Sequence, residues 1–218
     1  MRIGILGSGL MGGKLGTLFA RAGHEVVFSY AHSEQKLKRL AREAGRNAYA
    51  GTPAEAARDA DVLLLAVHWS QVGRVLKQAG DLSGKTIVSC TLPMNASDTK
   101  LVVADTSSGA EELARKARRA KIVSAFSTVP SEALMNVFAQ RRKRSRPNVI
   151  YCGDDRQAKK VAATLIRDVG FTPIDAGPLR IARYLEPSSL LIAQLAYETG
   201  GSPEVVYRVG PVGQRNHT

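Results

Sequence analysis

The stretch Arg2-Ile3-Gly4-Ile5-Leu6-Gly7-Ser8-Gly9-Leu10-Met11-Gly12 decides the reading of the fold. Arg2 to Leu6 is a short aliphatic run of strand type, and from Leu10 to Ala22 the apolar residues return at helical spacing. The GxGxxG pattern therefore stands on a strand-to-helix turn, the context that gives it a mechanical meaning. Gly7 permits the tight turn, Gly9 lets the backbone approach a pyrophosphate, and Gly12 allows close helix-to-strand packing. The unpaired N–H groups of the first helical turn face the anion. The stretch predicts a bound dinucleotide.

The same alternation continues outward to about Asp175. Strands are expected at Glu25 to Tyr30, Asp61 to Val67, Thr86 to Ser89, Lys121 to Ala125, Asn148 to Cys152 and Phe171 to Asp175. Helices are expected at Glu34 to Ala44, Gly109 to Ala117 and Asp155 to Val169. This pattern gives an α/β fold, doubly wound, with a mostly parallel sheet covered by helices on both faces. Asp61 to Val67 is continuously apolar after its first residue, which puts it mid-sheet. A last apolar helix, roughly Leu179 to Glu198, follows Asp175-Ala176-Gly177-Pro178 and ends at Gly200-Gly201. The expected organisation is a nucleotide-binding domain over 1–177 and a small C-terminal helical extension over 178–218. That helix carries Leu185, Leu190, Leu191, Ile192, Leu195, Ala196 and Tyr197, more apolar surface than one small domain covers. It reads as a homodimer contact or as a wall of the substrate pocket.

The 218 residues hold 31 Lys and Arg against 19 Asp and Glu, a net charge of +12, and two cysteines. Such charge favours an anionic partner without choosing among nucleic acid, acidic lipid and small phosphates or carboxylates. No apolar run reaches membrane-spanning length, and Met1 enters strand-like sequence directly, so a cytoplasmic location without membrane contact is expected. Cys90 and Cys152 lie outside any CxxC or Cys/His cluster, so neither a metal site nor a disulfide framework is expected.

In such folds a carboxylate at the end of the second strand accepts from the ribose 2′-OH and repels a 2′-phosphate. Here none stands before Glu34. Tyr30, Ala31, His32 and Ser33 offer hydroxyls and an imidazole, with Lys36 and Lys38 behind them, so NADP(H) is expected over NAD(H). Val67-His68-Trp69, Thr91-Leu92-Pro93-Met94 and Ser127-Thr128-Val129-Pro130 stand at the carboxyl ends of later strands and are expected to wall the nicotinamide pocket. His68 is the first catalytic candidate, as a proton donor or a contact to ribose or carboxamide, with packing beside Trp69 as the structural alternative. His24 is expected to be structural, and His217 falls in the tail.

Beyond the glycine loop, four further stretches are distinctive: Val67-His68-Trp69, Val123-Ser124-Ala125-Phe126-Ser127-Thr128, Cys152-Gly153-Asp154-Asp155 and Asp175-Ala176-Gly177-Pro178-Leu179. In these the chain resembles, over nearly its whole length, the NADP reductases that use the deazaflavin coenzyme F-420 and their bacterial NADP oxidoreductase homologues. The resemblance implies a Rossmann domain and hydride transfer between NADP(H) and the deazaflavin, or a flavin, stacked on the nicotinamide, with no metal. It implies that Gly7, Ser8, Gly9, Leu10 and Met11 hold the pyrophosphate, and that Ala31, His32 and Ser33 replace a Ser-Arg-Arg clamp at the 2′-phosphate. Val67, His68, Trp69, Leu92, Ser127 and Val129 would surround the nicotinamide. Two departures matter: both clamp arginines are missing, and Ser127 replaces the His or Asn that commonly precedes that Thr, which leaves its hydroxyl to bond the carboxamide, directly or through a water, as the second catalytic candidate in a positioning role.

Arg141-Arg142-Lys143-Arg144-Ser145-Arg146 packs five cations into six positions, between a short helical stretch and the strand at Asn148. A solvated loop is the default reading, and a nucleic-acid arm lacks interleaved aromatics and a reader motif. The resemblance suggests a third role, attraction of the polyanionic tail of coenzyme F-420. The electron partner stays open among a deazaflavin, a flavin and a small carbonyl or imine substrate. A non-catalytic NADP(H)-binding redox sensor is the rival from another class. A 6-phosphogluconate-type dehydrogenase needs a large helical second domain, and only about 40 residues follow Asp175.

Overall fold

A computed structural model describes residues 1–210, so His217 lies outside the described residues. Its strands are β1 (Arg2–Leu6), β2 (Glu25–Ser29), β3 (Ala48–Ala50), β4 (Val62–Leu65), β5 (Thr86–Ser89), β6 (Lys121–Ser124), β7 (Asn148–Gly153) and β8 (Thr172–Asp175). They form one sheet in the order β3-β2-β1-β4-β5-β6-β7-β8. β1 to β6 pair in parallel, β7 runs antiparallel to β6, and β8 is parallel to β7. Parallel neighbours need crossovers. These are supplied by α1 (Leu10–Arg21), α2 (Glu34–Ala44), α3 (Pro53–Arg58), α4 (Val72–Ala79) and α5 (Gly109–Lys116). α6 (Ala133–Ala139), α7 (Arg156–Asp168) and α8 (Ala182–Tyr197) complete the chain.

Period-2 alternation divides the strand side chains between two apolar layers. Ile3, Ile5, Phe28 and Leu64 face α1, α2 and α7, whereas Leu6, Leu63, Leu65 and Ile87 face α3, α4, α5 and the start of α8. All four residues of β4 are 0% exposed, as the mid-sheet reading of this run requires. The fold is the expected doubly wound, mostly parallel α/β sheet of Rossmann type with a C-terminal helix.

Three elements were not foreseen, β3, α3 and α4, whereas α6 is the short helical stretch expected before the basic run. β3 is three residues long at a sheet edge, and α3 is a six-residue helix fixed by its end, where Thr52 and Glu55 form a capping box and Pro53 opens the first turn. The last helix begins as a 3-10 turn over Leu179–Ile181 before α8 proper. α8 is tied to the sheet domain by charge. Glu186, 1% exposed, accepts from the backbone N–H groups of Gly109 at 2.7 Å and Ala110 at 2.9 Å, and Arg183 donates to both oxygens of Glu111 at 2.8 and 2.7 Å. No helix among the described residues is long and apolar enough to cross a membrane.

Candidate functional site

β1 and β4 lie side by side although the chain visits β2 and β3 between them, so the strand order reverses at this point. A crevice opens there, outside the carboxyl ends of the strands. It is a cleft of about 580 Å³ walled by Gly7, Ser8 and Gly9 after β1, Tyr30 to His32 after β2, Ala66 to His68 after β4, and Lys36, Gln71 and Arg74 from α2 and the α4 region. The glycines divide by role. Gly7 has φ +111°, and a Cβ there would lie 2.4 Å from the Ala66 carbonyl oxygen, while one on Gly12 would lie 1.9 Å from that of Gly7. A Cβ on Gly9 would meet nothing within 4 Å. Gly7 and Gly12 are therefore demanded by the chain itself, whereas Gly9 leaves a bare cradle toward the cleft. Ser8 is buried, its Oγ donating to Ser29 O at 2.8 Å and its N–H to Tyr30 O at 3.0 Å, which clamps the loop onto β2. α1 starts with Gly9 as its cap, with no side-chain cap and no acid in its first turn, so its N-terminal donors are open to an anion. Leu10 projects outward, 72% exposed, and Met11 packs against the core. The loop fits a pyrophosphate.

At the β2 end, Tyr30 has φ +56°, and its hydroxyl donates to Gln71 Oε1 at 2.8 Å, bracing the start of α4 across the crevice. Ser33 Oγ caps α2 by accepting from Lys36 N at 3.3 Å, and its own proton remains available to a ligand. Ser33 lies in an adjoining cleft of about 470 Å³ that shares Tyr30, Ala31 and Arg74 with the first. Lys36 and His32 line the larger cleft, while Lys38 is paired with Glu34 at 2.6 Å. Arg74 is the residue that sequence reasoning missed. Its signal lay in the polar spacing Gln71, Arg74, Gln78 opposite the buried Val72, Val75 and Ala79, which marks one face of a helix.

At the nicotinamide end, Val67 and His68 line the cleft. His68 Nδ1 accepts from Ser70 N at 3.3 Å, and Nε2 lies 3.2 Å from Asn95 O and 3.1 Å from Asp98 Oδ1. Carbonyl and carboxylate oxygens only accept, so Nε2 carries the proton on hydrogen-bond grounds. The ring thus joins the end of β4 to the turn after β5. Trp69 turns away from the cleft and packs on the apolar layer under α5 and α8. Pro93 sits against Gly109, Val129 is buried in the core, and Leu92 is half-buried. Ser127 Oγ is buried with no hydrogen-bond partner among the described residues. Phe126, at φ +65°, turns the chain just before it. Cys90 and Cys152 are both free thiols, pushed up to about 12 by burial and therefore neutral. His24 is bound to Asp168 at 2.9 Å and sits edge-on to Phe19, away from the crevice. Because β7 runs antiparallel, the basic loop before Asn148 lies at the same sheet edge as the glycine turn. Arg141 there stacks 4.0 Å over the Phe138 ring.

Residues 2–93, from β1 to the turn after β5, match the family described as "NADP oxidoreductase coenzyme F420-dependent". Over these residues the chain is similar to the members of that family. Metalloreductase STEAP3 of Rattus norvegicus is 31% identical over 185 residues, which are 85% of this chain and 36% of the rat protein. An F420-dependent NADP reductase of Methanocaldococcus jannaschii is 29% identical over 150 residues, 65% of this chain and 64% of that protein. The matched part is thus little more than a third of the first and just under two thirds of the second. Among solved structures, a provisionally assigned F420-dependent NADP reductase from Arthrobacter sp. FB24 superposes with a TM-score of 0.83. It is 24% identical, over 97% of this chain and 100% of that one, which shows the shared fold.

The family is one of NADP-binding oxidoreductases, and the crevice fits that cofactor in two independent respects. The bare cradle at Gly9 meets an uncapped helix, and no carboxylate lines the larger cleft.

Proposed function

We propose that the chain moves hydride between NADP(H) and a deazaflavin of the coenzyme F-420 type, or a flavin, laid against the nicotinamide at the carboxyl edge of β4, β5 and β6. The observation that carries this reading is the condition of His68. Both of its nitrogens are engaged within the chain, with Ser70 on one side and Asn95 and Asp98 on the other. Reduction of a carbonyl or imine calls for a positioned proton donor as the hydride arrives. Transfer between two stacked rings calls mainly for orientation and dry surroundings. An imidazole held at both nitrogens suits the second case, as a strut for the pocket wall. The names borne by the relatives, an F420-dependent NADP reductase and a metalloreductase, support electron carriage in the same sense.

NADP(H), when bound, supplies the hydride chemistry, and the chain supplies position. Gly9 and the first turn of α1 would take the pyrophosphate on backbone N–H groups, while Gly7 makes the turn, its own N–H donated to Ser29 O. Ser127 Oγ, unpartnered and buried, would donate to the carboxamide and fix which way the ring faces. Val67 would present an aliphatic surface to the ring, and His68 would hold the Asn95 turn closed beside it.

Stopped-flow mixing of the protein and NADPH with oxidised coenzyme F-420, with FMN and with a cyclic imine tests this directly. The expected result is rapid, saturable loss of nicotinamide absorbance with the deazaflavin or FMN. Turnover with the imine alone would replace the reading by a small-substrate reductase. Tight NADPH binding with no turnover would replace it by a sensor.

A further inference from the structure

We propose that Arg74, on α4, is the residue that reads the 2′-phosphate of NADP(H), in place of a cation on the loop after β2. The proposal rests on the reading of the crevice as an NADP(H) site and adds the group that sets its specificity. The loop itself carries no Arg or Lys before α2: Ala31 is apolar, and Ser33, whose oxygen caps α2, offers a single hydroxyl proton. The two carboxylates of the adjoining cleft, Glu34 and Glu55, are each engaged within the chain through one oxygen. Lys38 is neutralised by Glu34 at 2.6 Å, and Glu55 is held by the backbone N–H and the hydroxyl of Thr52 at 2.7 and 2.9 Å.

Arg74 differs from both groups. It borders the larger and the adjoining cleft at once, and its guanidinium has no hydrogen bond or ion pair with any other described residue. The Tyr30 hydroxyl, donating 2.8 Å to Gln71 Oε1, holds the start of α4 against the end of β2. Arg74 lies three residues beyond Gln71 and so shares that face of the helix. A guanidinium presents paired N–H groups that match two phosphate oxygens, and a planar fork loses little freedom on binding. Lys36, on the opposite wall, adds charge to the same cleft without that geometry. The clamp at the 2′-phosphate has moved from the β2 loop to the neighbouring helix.

Calorimetric titration of the intact chain with adenosine 2′,5′-bisphosphate, AMP, NADPH and NADH separates this idea from the reading beneath it. Arg74→Ala is expected to weaken the bisphosphate by about tenfold to a hundredfold. AMP should change by less than about threefold, and the preference for NADPH over NADH should shrink by a factor like that for the bisphosphate. Arg74→Lys should fall between, and the thermal midpoint should stay put because the side chain is exposed. Equal losses for bisphosphate and AMP would overturn the proposal in favour of an adenine contact, and an unchanged bisphosphate affinity would overturn it outright. A wild type that binds NADPH and NADH alike contradicts the role of Arg74 and leaves the dinucleotide site standing. One that binds neither removes the site and the proposal together.

Discussion

Gly9 and Gly12 are three residues apart in one motif, yet the structure asks different things of them. A Cβ on Gly12 would have to displace the Gly7 carbonyl, whereas a Cβ on Gly9 would enter open space. Gly12→Ala should therefore destabilise the free protein by about 1–3 kcal/mol, the usual cost of overpacking. Gly9→Ala should leave the unfolding free energy within about 0.5 kcal/mol and weaken NADPH by roughly tenfold. Denaturant titration beside nucleotide titration tests both; equal stability losses would contradict the division. Ser127 invites the complementary test. Removing a buried hydroxyl without a partner costs the fold nothing, so Ser127→Ala should hold or raise stability, by up to about 1 kcal/mol, while NADPH binds more weakly. A destabilised variant with unchanged binding would refute the assigned role. The glycine loop could be read from sequence because its requirement is local, a turn between two adjacent elements. Arg74 could not, since its relation to Tyr30 and His32 exists only once the fold sets the start of α4 across the crevice from the end of β2.

Elements announced themselves in proportion to their length and burial. α1, α2, α7 and the strands from β4 to β7 carry enough residues for a period to emerge, and their ends fall within about two residues of expectation. β3 and α3 are held by neighbours and caps, which leave little periodic trace in three and six residues. The contact between α5 and α8 gives this scale its prediction. Glu186 is buried where it caps α5. Burial pushes its carboxyl up to about 7 from 4.5, against the pull of the Gly109 and Ala110 N–H groups, and Glu111 adds to the rise. Between pH 4.5 and about 7 the folded chain binds a proton that the unfolded chain has released. That contribution to stability is present below pH 4.5 and lost as pH rises through about 7. The stability of the wild type relative to Glu186→Gln should thus fall across this window by at most about 3 kcal/mol and stay level above it. A difference that is constant or grows with pH, in urea titrations at several pH values, would contradict the assignment.

Taken as a whole, the chain sets the features that we propose serve its ligands along one edge of the sheet. The glycine turn and His68 share a cleft there, and Ser127 and the basic loop lie farther along the same edge. Tyr207 reaches the same edge from the C-terminal segment, its hydroxyl 2.6 Å from Thr128 Oγ1. That edge is also where positive charge would guide a polyanionic acceptor. We expect Arg142→Ala with Arg146→Ala to raise the Michaelis constant for coenzyme F-420 several-fold at low salt and little at high salt, whereas salt-independent kinetics would dismiss the idea. On α8, Leu191 and Leu195 remain 61% and 43% exposed, an apolar face that we propose a second copy covers. Sedimentation should then show a dimer that Leu191→Glu with Leu195→Glu converts to a folded monomer; a monomeric wild type would dispose of that proposal. The central claim, direct hydride passage from nicotinamide to a stacked ring, is tested best by isotope. A deazaflavin accepts hydride at carbon, so the label is retained on the product. With NADPH carrying deuterium at the transferred position of nicotinamide C4, mass spectrometry should find one deuterium on reduced coenzyme F-420 in ordinary water. Reduced product carrying only solvent hydrogen, or no reduced product from a protein that binds NADPH, would contradict the account.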